Sequence, residues 1–371
     1  MPLHRWPYIP IIGFFLLVSA IYLSLLFPAV WFVPIAVFLI LAIGFRKWKA
    51  MPFVAMALLF VAYALSNEFG HWEWLGMGAF FWYGVFYTLG ITAMGARFLR
   101  LYWSKDAYMV KRTFFNIGAQ LSAGFLIPYL LPFTMGGGAP DSQGKGVFFM
   151  YLWPLEHSAL TVGRIEGLTL VVKWFMAFNL VAGLIVMPIL VYYYGRRPYC
   201  SWFCGCGALA ETVGDPFRRL TPRGRLSRKI EPIIYPFLVA ATILTIAWLV
   251  IPKASFEALG HWNHWYLMIV KFGFSTLLGV GLYSLMGARV WCRYFCPWVA
   301  LFGVLAKHGR YAIRSRGELC MGCGMCNTYC EMGIDIRGAA MEGRPVKTTT
   351  CVGCGMCIQK CPRRVLSFTT E

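Results

Sequence analysis

Long apolar runs, each closed by a polar or basic stretch, set the rhythm of the chain. They fall at about 8–26, 28–45, 51–66, 75–96, 113–133, 168–194, 231–251 and 265–287. An α-helix needs about 20 apolar residues to cross a hydrocarbon core about 30 Å thick. The pattern therefore predicts an all-α polytopic membrane protein with about eight transmembrane helices. The tight link LFPAVW between the first two runs, and the shortness of the third, leave six or seven crossings with a re-entrant pair as the alternative. From about residue 307 the runs stop and a short, glycine-rich, cysteine-dense segment carries the chain to Glu371. Three regions result: N-terminal transmembrane helices (1–133), a transmembrane region with repeated cysteine motifs (134–306), and a small soluble domain (307–371).

Composition and charge add an orientation. Hydrophobic residues make up 59% of the chain and charged residues 13%, with a mean hydropathy of +0.63, outside the range of ordinary globular domains. The net charge of +19 gathers in particular loops: Arg46, Lys47 and Lys49; Arg97, Arg100, Lys105, Lys111 and Arg112; Arg196 and Arg197; and the stretch from Arg218 to Lys229. Alternate loops hold chiefly Lys145, Arg164 and Lys253. This is the positive-inside pattern, and it places both termini and the cysteine-rich tail on the cytoplasmic side of a bacterial-type inner membrane. It also accounts for the basic charge without nucleic acid, which is excluded as a partner. The first run flows into the second, so no removable signal peptide is expected. Trp72, Trp74, Trp153, Trp262 and Trp265 fall at the outer ends of the runs, where amphipathic rings anchor at the headgroups.

The chemistry lies in the cysteines. The tail contains CMGCGMCNTYC, with Cys320, Cys323, Cys326 and Cys330, and CVGCGMCIQKC, with Cys351, Cys354, Cys357 and Cys361. Each is the C-x2-C-x2-C-x3-C run that holds a [4Fe-4S] cluster, the fourth cysteine reaching the other cluster in two-cluster ferredoxins. Cluster one is expected on Cys320, Cys323, Cys326 and Cys361, and cluster two on Cys351, Cys354, Cys357 and Cys330. The tail thus reads as a bacterial-type 2[4Fe-4S] ferredoxin domain. Glu331 follows the first run where Pro362 follows the second, and a carboxylate there is expected to lower the potential of its cluster.

A second set of cysteines sits where two apolar runs end. GRRPYCSWFCGCGAL, from Gly195 to Leu209, returns as GARVWCRYFCPWVAL, from Gly287 to Leu301, an internal repeat. Cysteines four apart on a helical turn share one face, so Cys200 and Cys204 with Cys292 and Cys296 are expected to converge on one site. That site is read as a further cluster or metal site, a thiol/disulfide pair, or buried packing. Cys206 has no counterpart in the second copy and is read as a spare ligand or as filling.

Twin C-x3-C(P) motifs at the ends of membrane spans, followed by a two-cluster ferredoxin tail, resemble the polyferredoxin membrane proteins of the NapH, NosR and RdxA/CcoG type. The resemblance covers roughly 168–371; Cys204-Gly205 departs from the family's Cys-Pro. It implies an electron-transfer subunit, of the quinol dehydrogenase or quinone reductase kind, that relays electrons between the quinone pool and cytoplasmic or periplasmic partner subunits of a redox complex. The alternative it implies is a copper or iron reductase, or a metal-delivery assembly factor, working through the twin-cysteine site. Lys173 and Lys271, within predicted spans, and the outer histidines His157, His261 and His264 are candidates for a quinone or ion path, because intramembrane ionisable groups usually face a cavity or a partner.

Overall fold

The structure is a computed structural model that describes residues 73–74, 77–130, 153–154, 170–194, 197–250, 279 and 282–370. The apolar runs at 8–26, 28–45 and 51–66, and 265–278 with 280–281 of the last run, lie outside these residues. A two-residue ladder, β1 (Glu73–Trp74) with β2 (Met77–Gly78), leads into α1 (Ala79–Tyr102). After a tight turn, Asp106 caps α2 (Ala107–Leu121) by accepting the Met109 amide at 3.1 Å, satisfying one of the donors that a helix start leaves open. The helix continues in π form over Ser122–Leu130.

Among the described residues, two helical stretches are long and apolar enough to cross a membrane: Ala177–Tyr194 and Arg225–Ala247, both of mean hydropathy 1.8. At 1.5 Å per residue, the first spans about 27 Å. It is assembled from α3 (Leu170–Val181), a π segment (Ala182–Val186) and α4 (Met187–Tyr194). After the short α5 (Gly205–Thr212) and α6 (Arg225–Ile230), α7 (Ile234–Val250) is apolar all round. It presents Val239, Ile243 and Ile246 outward, as expected of a helix whose solvent is lipid. The 113–133 run differs from a plain span. Arg112, Thr113, Asn116 and Gln120 of α2 are buried, and they bond to the cysteine segment rather than facing lipid.

Past α8 (Val290–Tyr294) and α9 (Pro297–His308) comes the tail. Its ends pair as an antiparallel ladder, β3 (Tyr311–Ser315) with β4 (Leu366–Thr370), in register from Tyr311 opposite Thr370 to Ser315 opposite Leu366. Between them lie three short helices, α10 (Met325–Thr328), α11 (Ile336–Met341) and α12 (Met356–Gln359). The change of composition near 307 does not interrupt the packing. Trp298 and Phe302 of α9, Ile313 of β3, Val352, Leu366 and the cysteines of both motif types belong to one buried cluster.

Candidate functional site

The two tail runs fold alike. Gly322 and Gly324 in the first, and Gly353 and Gly355 in the second, have φ of +66°, +74°, +69° and +79°. Glycine adopts this left-handed backbone without the Cβ clash that other residues meet, and it turns each run tightly between its cysteines. Cys320, Cys323, Cys326 and Cys361 line one cavity with Arg337 and Pro362, and Cys323 is exposed at its mouth. Cys357 is buried, and its electrostatic neighbours are Cys354, Cys351, Cys330 and Cys326. The Cys330 sulfur accepts the Ile334 amide at 3.4 Å. Burial raises the Cys330 thiol to about 11 and the Cys354 thiol to about 12. A cation that displaces those protons would be needed to hold either sulfur as thiolate.

Among the described residues, no three His, Cys, Asp or Glu side chains are gathered closely enough for one bare metal ion. Four cysteine sulfurs lining one cavity, three of them at three-residue spacing, are the donor set of a [4Fe-4S] cluster.

Both copies of the repeat follow one local plan, which differs from two cysteines on one helical turn. The first cysteine sits in a tight turn, Cys200 in Tyr199–Phe203 and Cys292 in α8. The second leaves the helix and caps the next one: Cys204 (φ −69°, ψ 129°) precedes α5, and Cys296 (φ −77°, ψ 109°) precedes α9. Cys204 feels the backbone N–H groups of Cys206 and Gly207, and Cys296 that of Val299, although neither sulfur accepts a capping hydrogen bond. Free N–H groups and the positive end of a helix favour an anion there.

The four cysteines come together, and Cys206 joins them. Cys296 feels Cys292, Cys200 and Cys204, while Cys206 bonds Cys204 and feels Cys292 and Cys296. The Cys206 bond, with backbone amides opposing the effect of burial, lowers the Cys204 thiol to about 7. Burial raises Cys200, Cys292 and Cys296. Gly207 is needed for closeness, since a Cβ there would overlap the Cys200 carbonyl oxygen.

Buried charge surrounds the site. Arg289 reaches the Cys200 carbonyl at 3.5 Å and the Cys292 sulfur at 4.0 Å, and pairs with Glu331 at 3.0 Å. Glu331 also pairs with Arg218, which holds Asp215 at 2.8 Å. These two guanidiniums offset the negative charge that Glu331 brings beside its run. Burial alone would raise its carboxyl, but Arg218, Arg289 and Arg112 hold it at about 2. A neighbouring network joins α2 to the first cysteine copy. Glu211 takes Arg112 at 2.5 Å, Thr113 at 3.0 Å and Asn116 at 3.1 Å; Asn116 also donates to the Ser201 carbonyl, and Gln120 to that of Phe203. Tyr108, at the start of α2, donates to the Gly353 carbonyl at 2.8 Å.

Sequence reasoning missed the buried arginines. Arg112, Arg197 and Arg218 read as loop charges facing headgroups, whereas all three are out of solvent. The one available signal was the Gly-x-Arg that precedes the first cysteine by three residues in both copies. Lys271, His157, His261 and His264 lie outside the described residues; Lys173 lies on α3, and its side chain lies outside them too.

A family model described as a 4Fe-4S binding domain matches residues 176–224 and 271–316, the two stretches that carry the repeat. YccM of Escherichia coli (strain K12) is 30% identical over 199 residues, 50% of this chain and 53% of that protein. The ferredoxin-type protein NapH of the same organism is 25% identical over 199 residues, 51% of this chain and 67% of NapH. The regulatory protein NosR of Pseudomonas aeruginosa is 26% identical over 153 residues, 38% of this chain and 21% of NosR. The chain thus spans about half the length of YccM. No solved structure matches.

Proposed function

We propose that this chain, a NapH/NosR-type polyferredoxin protein with an iron–sulfur electron-transfer role, is a membrane-embedded subunit that relays electrons between the quinone pool and protein redox partners. The observation that carries the reading is the shared core. Four cysteines of the repeat (Cys200, Cys206, Cys292 and Cys296) and seven of the tail belong to one packed region, which also takes in Val191 and Ile234 of the two helices apolar enough to cross a membrane.

Iron–sulfur clusters, when bound, supply reversible one-electron transfer. Cys320, Cys323, Cys326 and Cys361 would hold one, and Cys351, Cys354, Cys357 and Cys330 another. Cys200, Cys204, Cys292 and Cys296 would hold a third centre, supported by the 4Fe-4S description of the family model that matches around them. The protein's own part is positional. The Cys206 thiol and the backbone N–H groups at the start of α5 favour thiolate at Cys204, whereas burial raises Cys296, whose proton a bound cation would have to displace. Tyr199 and Trp298, with rings 5.1 Å apart, pack against the same core as the thiols and keep water out. The Glu331 and Glu211 networks lock the tail and α2 against the cysteine segment, fixing the distances that electron transfer depends on. Lys173, Lys271, His157, His261 and His264 are the candidates for the quinone or ion path towards the outer face.

The test is iron and sulfide analysis with EPR on anaerobically purified wild type and on a variant with Cys200, Cys204, Cys292 and Cys296 all changed to serine. The expected result is loss of iron and of one EPR signal in the variant, with the tail signals kept, and reduction of the wild-type signals by added quinol. Equal iron in both proteins would remove the third centre. Failure of quinol to reduce any signal would remove the quinone relay, and binding of stoichiometric Cu(I) at the repeat would favour metal handling instead.

A further inference from the structure

Five arginines are almost wholly buried: Arg112, Arg197, Arg218, Arg289 and Arg293. Four of them meet carboxylates, Arg112 with Glu211, Arg218 with Asp215 and Glu331, Arg289 with Glu331, and Arg293 with Glu231. The chain formed by Asp215, Arg218, Glu331 and Arg289 holds two negative and two positive groups and is balanced. Arg197 is the exception. It is 1% exposed, it has no carboxylate partner among the described residues, and its Nε and Nη1 have no hydrogen-bond partner there.

A buried guanidinium cannot escape its charge by losing a proton, and an uncompensated one is strongly unfavourable. Its surroundings show what balances it. The groups that bear on it are the sulfurs of Cys200, Cys351, Cys292 and Cys296, three from the repeat and one from the second tail run. The slot that admits it is shaped for the purpose. A Cβ at Gly303 on α9 would come within 2.6 Å of Arg197 Nη2 and 2.5 Å of the Thr349 carbonyl oxygen, so glycine there lets the guanidinium lie between α9 and the strand of chain entering Cys351.

We propose that Arg197 is the shared counter-ion of two anionic thiolate-ligated centres, the one on the repeat and the one on Cys351, Cys354, Cys357 and Cys330, and that it holds both at raised reduction potential. The inference rests on the three-centre reading above. It commits the repeat to a centre of net negative charge and excludes a set of neutral thiols. It also makes Arg197 a positioning and tuning residue between the two centres, which touches neither the quinone nor the partner.

The experiment is an EPR-monitored redox titration, with iron analysis, of the full-length chain as wild type, Arg197→Lys and Arg197→Gln, with the quadruple serine variant as reference. Arg197→Gln is expected to keep its iron and to shift the midpoints of both centres downward, leaving that of the cavity-lining cluster on Cys320, Cys323, Cys326 and Cys361 in place. Arg197→Lys, which keeps the charge, should restore most of the shift. Retained iron with unmoved midpoints in Arg197→Gln would overturn the role of Arg197 alone. Identical iron in wild type and quadruple serine variant would overturn the three-centre reading and this inference with it. Should Arg197→Gln fail to accumulate, thermal unfolding decides. Removing the thiolates strands the cation, so Arg197→Met should raise the melting temperature of the quadruple serine variant, and a fall there would overturn the proposal.

Discussion

In the second copy of the cysteine motif, the arginine three residues ahead of the first cysteine meets Glu331 at 3.0 Å; in the first copy the equivalent Arg197 meets no carboxylate among the described residues. The backbone plan is common to both: a turn holding one cysteine, then a second cysteine capping a helix. What differs is the filling. The first copy follows its capping cysteine with Gly205, Cys206 and Gly207, and the second with Pro297, Trp298 and Val299. Pro297 suits the first turn of a helix, where its missing N–H is not needed, and Trp298 brings a large buried ring. The first copy gives up that bulk for a fifth sulfur and for close contact between α5 and the Cys200 carbonyl. Both halves bring two cysteines to the site; the second adds apolar bulk beside them and the first a further sulfur.

The largest expected effect comes from making the second copy resemble the first. Glu331→Gln removes the carboxylate shared by Arg218 and Arg289, leaving Arg289 buried with no carboxylate among the described residues and Arg218 with Asp215 alone. Breaking a buried pair costs about 3–5 kcal/mol, so the variant should lose much of its thermal stability, and limited proteolysis should release the tail. The reverse change comes next. Gly207→Val places the residue of the second copy in the first, where its Cβ overlaps the Cys200 carbonyl oxygen. Overpacking costs about 1–3 kcal/mol, and the iron attributed to the repeat should fall while the tail EPR signals persist.

Cys206→Ala sharpens the comparison without bulk. With the thiol hydrogen bond gone, the Cys204 thiol should rise from about 7 towards its ordinary value, and alkylation of Cys204 at neutral pH in metal-free protein should slow. The smallest effect is expected from Tyr108→Phe. The bond to the Gly353 carbonyl is worth about 0.5–1.5 kcal/mol, and its loss should raise hydrogen exchange locally in the second tail run while the iron content stays unchanged.

Much of the site was legible because its parts are short and local. The three-residue spacing of Cys320, Cys323 and Cys326, with glycines between, is a property of a few turns of chain. So is the four-residue spacing of the repeat, and repetition itself pointed to convergence. The charges were not legible in that way. Glu331 lies 113 residues from Arg218, and nothing in either neighbourhood announces the other. Arg112 and Arg218 stand in basic stretches whose bulk behaves as the positive-inside rule expects, so the pattern that orients the chain hid the members that fold inward. Cys206 lacks a partner in the alignment, and only the turn of α5 brings its sulfur to Cys204.

Many soluble electron carriers tie a redox head to an anchor by a pliant tether, so that the head swings between donor and acceptor and its rate follows solvent viscosity. The buried cluster that runs from Trp298 and Phe302 into Ile313, Val352 and Leu366 leaves no room for such an arm. The redox head here is soldered to its mounting, and any traffic through it would pass along fixed wiring, with movement reserved for the molecules that arrive and leave.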